Sequence, residues 1–206
     1  MKKVLFVFGT RPEAIKMAPV INVFKKDINK FKTIVAVTAQ HREMLDQVLS
    51  LFEIIPDYDL DIMSPNQSLE SLTSKILTGI SDLLVKIKPD VVFVQGDTTT
   101  TYASALAAFY KMIPVAHIEA GLRTNNIYSP FPEEINRRMT TSMASIHFPP
   151  TKQSQQNLLN GGVDKDTIKI AGNTVIDALL TVSNKIDKET DKYDNYFSAS
   201  YNIHFN

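Results

Sequence analysis

Short apolar runs recur along this chain, and nearly every one leads through a turn into a stretch with helical spacing. Residues 4–8 are continuously apolar and read as a buried strand. Gly9-Thr10-Arg11 follows as a tight turn, and Pro12 suits a first helical position. A helix is predicted over 13–26, with Pro19 expected to kink or interrupt it. Residues 33–38 form the next strand. A helix over 42–52 places Met44, Leu45, Val48, Leu49 and Phe52 on one face. The segment 54–67 carries Pro56, Pro65 and several Asp, Ser and Asn residues, and reads as a loop. A long amphipathic helix is expected over 69–87. The apolar run Val91-Val92-Phe93-Val94 then makes a buried strand that ends at Gly96. Threonines 98–101 open a helix that continues through 102–109, and one of them can cap its N–H groups.

The second half keeps the alternation. A strand at 114–118 runs into Glu119-Ala120-Gly121-Leu122-Arg123, and 124–132 is an irregular loop with two prolines. Helix 133–144, strand 146–148, helix 152–159 with its stop at Gly161-Gly162, strand 168–171 and helix 175–188 complete the series. Residues 189–206 show no clear period and are expected to be an irregular tail after a domain over 1–188. Strands alternating with helices call for an α/β fold, a doubly wound parallel sheet of six or seven strands with a Rossmann-like layout.

Composition narrows the classes. Of 206 residues, 44% are hydrophobic, enough for an ordinary core. Lys plus Arg equals Asp plus Glu at 22 each, which disfavours a nucleic-acid binder but leaves room for a local anion pocket. There is no cysteine, so disulfides and thiolate-held metals are excluded. The start Met1-Lys2-Lys3 looks like a signal-peptide head, but the apolar run stops at Phe8 without a small-residue cleavage site. No run approaches membrane-spanning length, so a cytoplasmic protein that does not enter a membrane is expected.

In open α/β sheets, ligands bind outside the carboxyl ends of the strands. Asp97 and Glu119 both stand there, after consecutive strands. If those strands are neighbours, their backbones lie about 5 Å apart and the carboxylates share one crevice. Paired acids in different environments can divide acid and base work, although a turn or capping acid explains each residue singly. The first strand-to-helix turn has one glycine where a dinucleotide site has three, so NAD binding is not read there. Arg11 and Lys16 near that helix start could face an anion, or could be solvated charges. Glu133 and Glu134 open a helix, and pairs with Arg137 and Arg138 four residues on account for at least one of them. His41 follows a strand end, whereas His117 and His147 lie inside strands and His204 in the tail. No His cluster with metal-ligand spacing occurs.

Six blocks in order carry a resemblance: residues 8–19, 38–49, 96–101, 117–124, 130–137 and 172–177. Together they resemble the non-hydrolysing bacterial UDP-N-acetylglucosamine 2-epimerases. The resemblance implies a glycosyltransferase-B-type enzyme of two Rossmann-like domains with UDP-sugar in the cleft between them, acting without cofactor or metal. It implies interconversion of UDP-N-acetylglucosamine and UDP-N-acetylmannosamine through 2-acetamidoglucal and UDP. By motif, Asp97, Glu119 and Glu133 would be the catalytic acids, and Arg11 and Lys16 would contact substrate together with Asp97 and Glu119. Gln40, His41 and Glu43 resemble part of a second, activating substrate site. A homodimer is implied for the full-length family. The family's second domain, with its catalytic histidine and most nucleotide contacts, lies beyond the resembling segments. The chain is therefore expected to be the N-terminal domain of such an enzyme, inactive alone. The alternative is a non-catalytic nucleotide-sugar-binding or interaction domain that pairs with a separate C-terminal domain. Intact acids at 97, 119 and 133 speak against it.

Overall fold

β1 (Lys2–Phe8) is buried from Val4 to Phe8, and its side chains go alternately to two different cores. Val4, Phe6 and Phe8 join one cluster, and Leu5 and Val7 join another on the opposite face of the sheet. Burial on both faces is why the run is apolar throughout instead of alternating. Each large side chain so buried contributes roughly 1.5–3 kcal/mol. The structure is a computed structural model that describes residues 1–38, 42–62 and 67–202.

The remaining elements follow, most of them in the order expected. They are α1 (Arg11–Lys26), β2 (Phe31–Val37), α2 (Arg42–Leu51), β3 (Tyr58–Asp59), α3 (Leu69–Ile87), β4 (Val91–Gln95), α4 (Thr99–Tyr110) and β5 (Val115–Ile118). Then come α5 (Glu133–Met143), β6 (Ile146–Phe148), α6 (Lys152–Asn160), α7 (Thr174–Lys188) and α8 (Thr190–Tyr201). Among the described residues six strands form one parallel sheet, in the order β3-β2-β1-β4-β5-β6. Residues from α1, α2 and α7 fill the first core, where Phe6 stacks on Phe93 at 4.9 Å between ring centres. Residues from α3 and α4 fill the second. The sheet is doubly wound, and the chain reverses its direction of travel between β1 and β4.

Four expectations need correction. α1 runs unbroken across Pro19, because burial of Met17, Ala18 and Ile21 holds the segment helical despite one missing backbone donor. The loop over 54–67 contains β3, which pairs with β2 through Ala36 and Val37. The strand expected over 168–171 is only an isolated bridge between Ile168 and His147. The tail expected to be irregular after residue 188 is helical as α8, where Tyr196, Phe197 and Tyr201 form a ring cluster with centroids 5.4–6.0 Å apart. Tyr193, Tyr196, Phe197 and Tyr201 stand at i, i+3, i+4 and i+8, a helical spacing that the reading of an irregular tail passed over.

Candidate active site

The reversal between β1 and β4 opens a crevice at the carboxyl ends of the central strands, where a ligand site is expected in this architecture. Three turns line it: β1–α1, β4–α4 and the exit of β5. In the β4–α4 turn, Gly96 takes φ +70, a left-handed conformation that glycine adopts without penalty. Its N–H donates to the Ile118 carbonyl at 2.9 Å. Its carbonyl accepts from His117 Nε2 at 2.7 Å. A carbonyl can only accept, so His117 carries its hydrogen on Nε2. Burial depresses the His117 pKa to about 4, and the ring is neutral at neutral pH.

The helix cap in this turn is Thr98, whose hydroxyl accepts from Thr101 N–H at 3.1 Å. Asp97 is therefore free of the capping role that could have explained it. Its carboxylate pairs with Arg137, and Asn136 Nδ2 donates to its backbone carbonyl at 3.0 Å. The Asp97 pKa is raised. Burial is the main cause, the Arg137 guanidinium opposes it, and the charges of Glu119 and Glu133 add to the rise.

β5 lies beside β4, with Gln95 opposite Ile118 in the register, so Asp97 and Glu119 do leave neighbouring strands. Glu119 has φ +61, a strained conformation for a residue with a side chain, costing on the order of 1–3 kcal/mol. That turn directs its carboxylate to Lys16, whose Nζ lies 2.7 Å from Oε1 and 2.5 Å from Oε2. Gln95 Nε2 also donates to Oε2. Lys16 is thus no solvated surface charge: it reaches across from α1 to the acid.

Glu133 and Glu134, adjacent in sequence, separate cleanly. Glu134 is fully buried and accepts from Thr124 N–H at 3.0 Å and Arg138 Nε at 2.8 Å, with Arg137 Nη1 at 3.4 Å. Burial pushes its pKa up, but the Thr124 N–H and the two guanidiniums outweigh that and leave it below the ordinary value. It is a structural acid. Glu133 is half-buried in the first turn of α5 and acts on Asp97 from across the crevice. The expected pair of Glu133 with Arg137 is replaced: Arg137 turns to Asp97 and Glu134 instead.

Arg11 is the exposed first residue of α1, at the rim of the crevice. Gln40 and His41 lie outside the described residues, and Glu43 is exposed in the first turn of α2. Sequence reasoning missed Glu13, Gln95, the Gly96 contact of His117 and the Arg137 link to Asp97. Only Glu13 had a local signal, the Thr10-x-x-Glu13 capping box before an apolar run. Its buried carboxylate accepts from Gly9 N–H at 3.0 Å, Thr10 N–H at 2.8 Å and the hydroxyls of Thr10, Thr98 and Thr101 at 2.8, 2.7 and 3.1 Å. Burial still leaves its pKa above the ordinary carboxylate value.

Known proteins match this chain in sequence and in fold. The family model for UDP-N-acetylglucosamine 2-epimerase matches residues 25–202. A probable UDP-N-acetylglucosamine 2-epimerase of Ralstonia solanacearum is 60% identical over 190 residues, covering 92% of this chain and 50% of its own. The UDP-N-acetylglucosamine 2-epimerase of Escherichia coli K12 is 58% identical over 199 residues, covering 97% of this chain and 52% of its own. The crystal structure of the Neisseria meningitidis UDP-GlcNAc 2-epimerase bound to UDP-GlcNAc superposes with a TM-score of 0.90 at 57% identity, covering 95% of this chain and 54% of that one. The Methanocaldococcus jannaschii enzyme, in complex with UDP-GlcNAc and UDP, gives 0.87 at 37% identity over 96% of this chain and 53% of that one. These are glycosyltransferase-B-type folds, and the chain spans about half the length of the curated relatives it matches. A crevice with paired acids at a switch point, on a sheet and sequence that match these enzymes this closely, places the chain in the UDP-N-acetylglucosamine 2-epimerase family.

Proposed function

We propose that this chain is the half of a UDP-N-acetylglucosamine 2-epimerase that holds the proton-transfer acids, and that a second Rossmann-like domain closes the crevice over the UDP-sugar. The carrying observation is the meeting of Asp97 and Glu119 at the ends of adjacent strands, each beside a cation from another element. In this reading Asp97, Glu119 and Glu133 move protons, and Arg11 and Lys16 hold the diphosphate near the N-terminus of α1. One carboxylate takes the proton from sugar carbon 2. The electron pair forms the bond to carbon 1, and the carbon 1–oxygen bond to UDP breaks. The products held are 2-acetamidoglucal and UDP. Return of UDP to carbon 1, with a proton delivered to the other face of carbon 2, completes inversion. Asp97, its pKa raised by burial and by two like charges, holds a proton more readily than an ordinary carboxylate, which suits it to acid–base work.

The same reading gives Gln40, His41 and Glu43 an activating substrate site, and gives the protein a cytoplasmic location and a homodimeric state. Among the described residues no helix is long and apolar enough to cross a membrane. Because half the cleft is contributed by the second domain, the 206-residue chain alone has little or no turnover. Titration calorimetry with UDP and UDP-N-acetylglucosamine, with Asp97→Asn as control, tests the site. Heat from the nucleotide sugar that changes in the control supports the reading. No heat from either ligand with a folded protein removes this half from substrate binding. Turnover by this chain near that of a full-length relative overturns the half-site part.

A further inference from the structure

Glu13 occupies a place that the proposed chemistry does not use. It is 1% exposed, yet its two carboxylate oxygens are committed to different walls of the crevice. Oε2 accepts from Gly9 N–H, Thr10 N–H and the Thr10 hydroxyl, all in the turn that leads to Arg11 and Lys16. Oε1 accepts from the hydroxyls of Thr98 and Thr101, 85 and 88 residues away, in the turn that carries Asp97. A capping box accounts for the first set only. The second set joins two helix starts on either side of the switch point. The single hydroxyl hydrogen of Thr101 is shared between Oε1, at 3.1 Å, and the carbonyl of Gln95, at 2.5 Å, the residue whose amide holds Glu119.

We propose that Glu13 is a positioning residue of the crevice: its buried carboxylate fastens the β1–α1 turn to the β4–α4 turn and so sets the spacing between the cationic wall and Asp97. A buried carboxylate costs several kcal/mol unless its oxygens are satisfied, so the arrangement of four donors and the shared Thr101 hydroxyl around it is specific. Movement of either turn would leave part of the carboxylate unpaired, which makes the spacing stiff. The inference deepens the reading of Asp97 as a site acid, but its test needs no ligand. A failure of UDP-sugar binding would therefore leave its result intact.

The test follows the Asp97 carboxyl carbon by nuclear magnetic resonance through a pH titration of the 206-residue chain. Three variants separate cap from fastening. Thr101→Val keeps volume and leaves the cap at Gly9 and Thr10 intact. Glu13→Asp keeps the charge but withdraws it by one methylene from Thr98 and Thr101. Glu13→Gln keeps the length, its carbonyl accepting from the two N–H groups and its amide donating to the two hydroxyl oxygens. In Thr101→Val and Glu13→Asp the β4–α4 turn admits water, the burial that lifts Asp97 is relieved, and its midpoint falls by about half a pH unit or more. Glu13→Gln restores the wild-type midpoint, and all three variants melt cooperatively. Wild-type Asp97 midpoints together with wild-type amide shifts at Gly96 and Asp97 in both Thr101→Val and Glu13→Asp would overturn the proposal.

Discussion

The Lys16 ammonium lies 2.7 Å and 2.5 Å from the two oxygens of the Glu119 carboxylate, across 103 residues of sequence. Both side chains are partly shielded, at 23% and 15% exposure, so solvent screens the pair less than a surface ion pair. A double-mutant cycle with Lys16→Met and Glu119→Gln should give a coupling of about 1 kcal/mol in urea denaturation. If Lys16 also holds the diphosphate, Lys16→Met weakens UDP-sugar binding about tenfold or more in calorimetry.

Adjacent glutamates in α5 predict opposite phenotypes. Glu134→Gln breaks a buried cluster with Arg137, Arg138 and Thr124 and should cost roughly 3–5 kcal/mol of stability. Glu133→Gln, half-buried at the crevice, should stay within about 0.5 kcal/mol of wild type while changing sugar binding. Denaturation of both variants distinguishes the fully buried acid from the half-buried one. Equal losses would remove the distinction.

His117 sets a pH dependence whose sign is fixed by its depressed pKa, about 4 against an ordinary 6.5. Between those values the unfolded chain binds a proton that the folded chain refuses, so stability rises with pH there. The stability is fully present above about 6.5 and is lost as pH falls toward 4, by on the order of 3 kcal/mol. Asp97 and Glu13 act in the other direction, because their raised values favour the protonated folded form in acid. The contrast between wild type and His117→Gln, whose amide can still donate to Gly96, isolates the histidine. Denaturation across this range should show a shallower acid loss in the variant.

Gly121 is constrained by close approach as well as by φ +89. A Cβ there would meet the Ser154 carbonyl oxygen at 2.2 Å, a backbone atom of α6 that cannot step aside. Gly121→Ala should therefore cost roughly 3 kcal/mol or more and lower the melting temperature by about 10 °C or more. Thermal unfolding followed by circular dichroism checks it.

Much of this molecule follows from local pattern. The apolar runs at 4–8 and 91–94 had to be strands buried on both faces, and their alternation with helical stretches required a parallel sheet. That logic also places Asp97 and Glu119 at the open end of the sheet. The cap of α4 was similarly legible, because a threonine at a helix start carries its acceptor within reach of its own chain.

Partner choice was not legible, because it depends on where the sheet puts residues that are far apart in sequence. Spacing four residues along α5 offered Arg137 to Glu133, but the neighbouring β4–α4 turn brings Asp97 to that guanidinium, and Glu134 takes the rest. Spacing likewise offered Lys16 to solvent, while the left-handed turn at Glu119 aims a carboxylate at it. The same holds for Glu13, whose capping box was local but whose bonds to Thr98 and Thr101 exist only because β1 and β4 are neighbours. The sequence alone determined most of the elements and which end of the sheet bears the chemistry, since hydrophobic period and helix capping act within a few residues. Only the tertiary structure decided which acid meets which cation, since ion pairs and buried hydrogen bonds are formed by whatever the strand order and the turn dihedrals bring within about 3 Å.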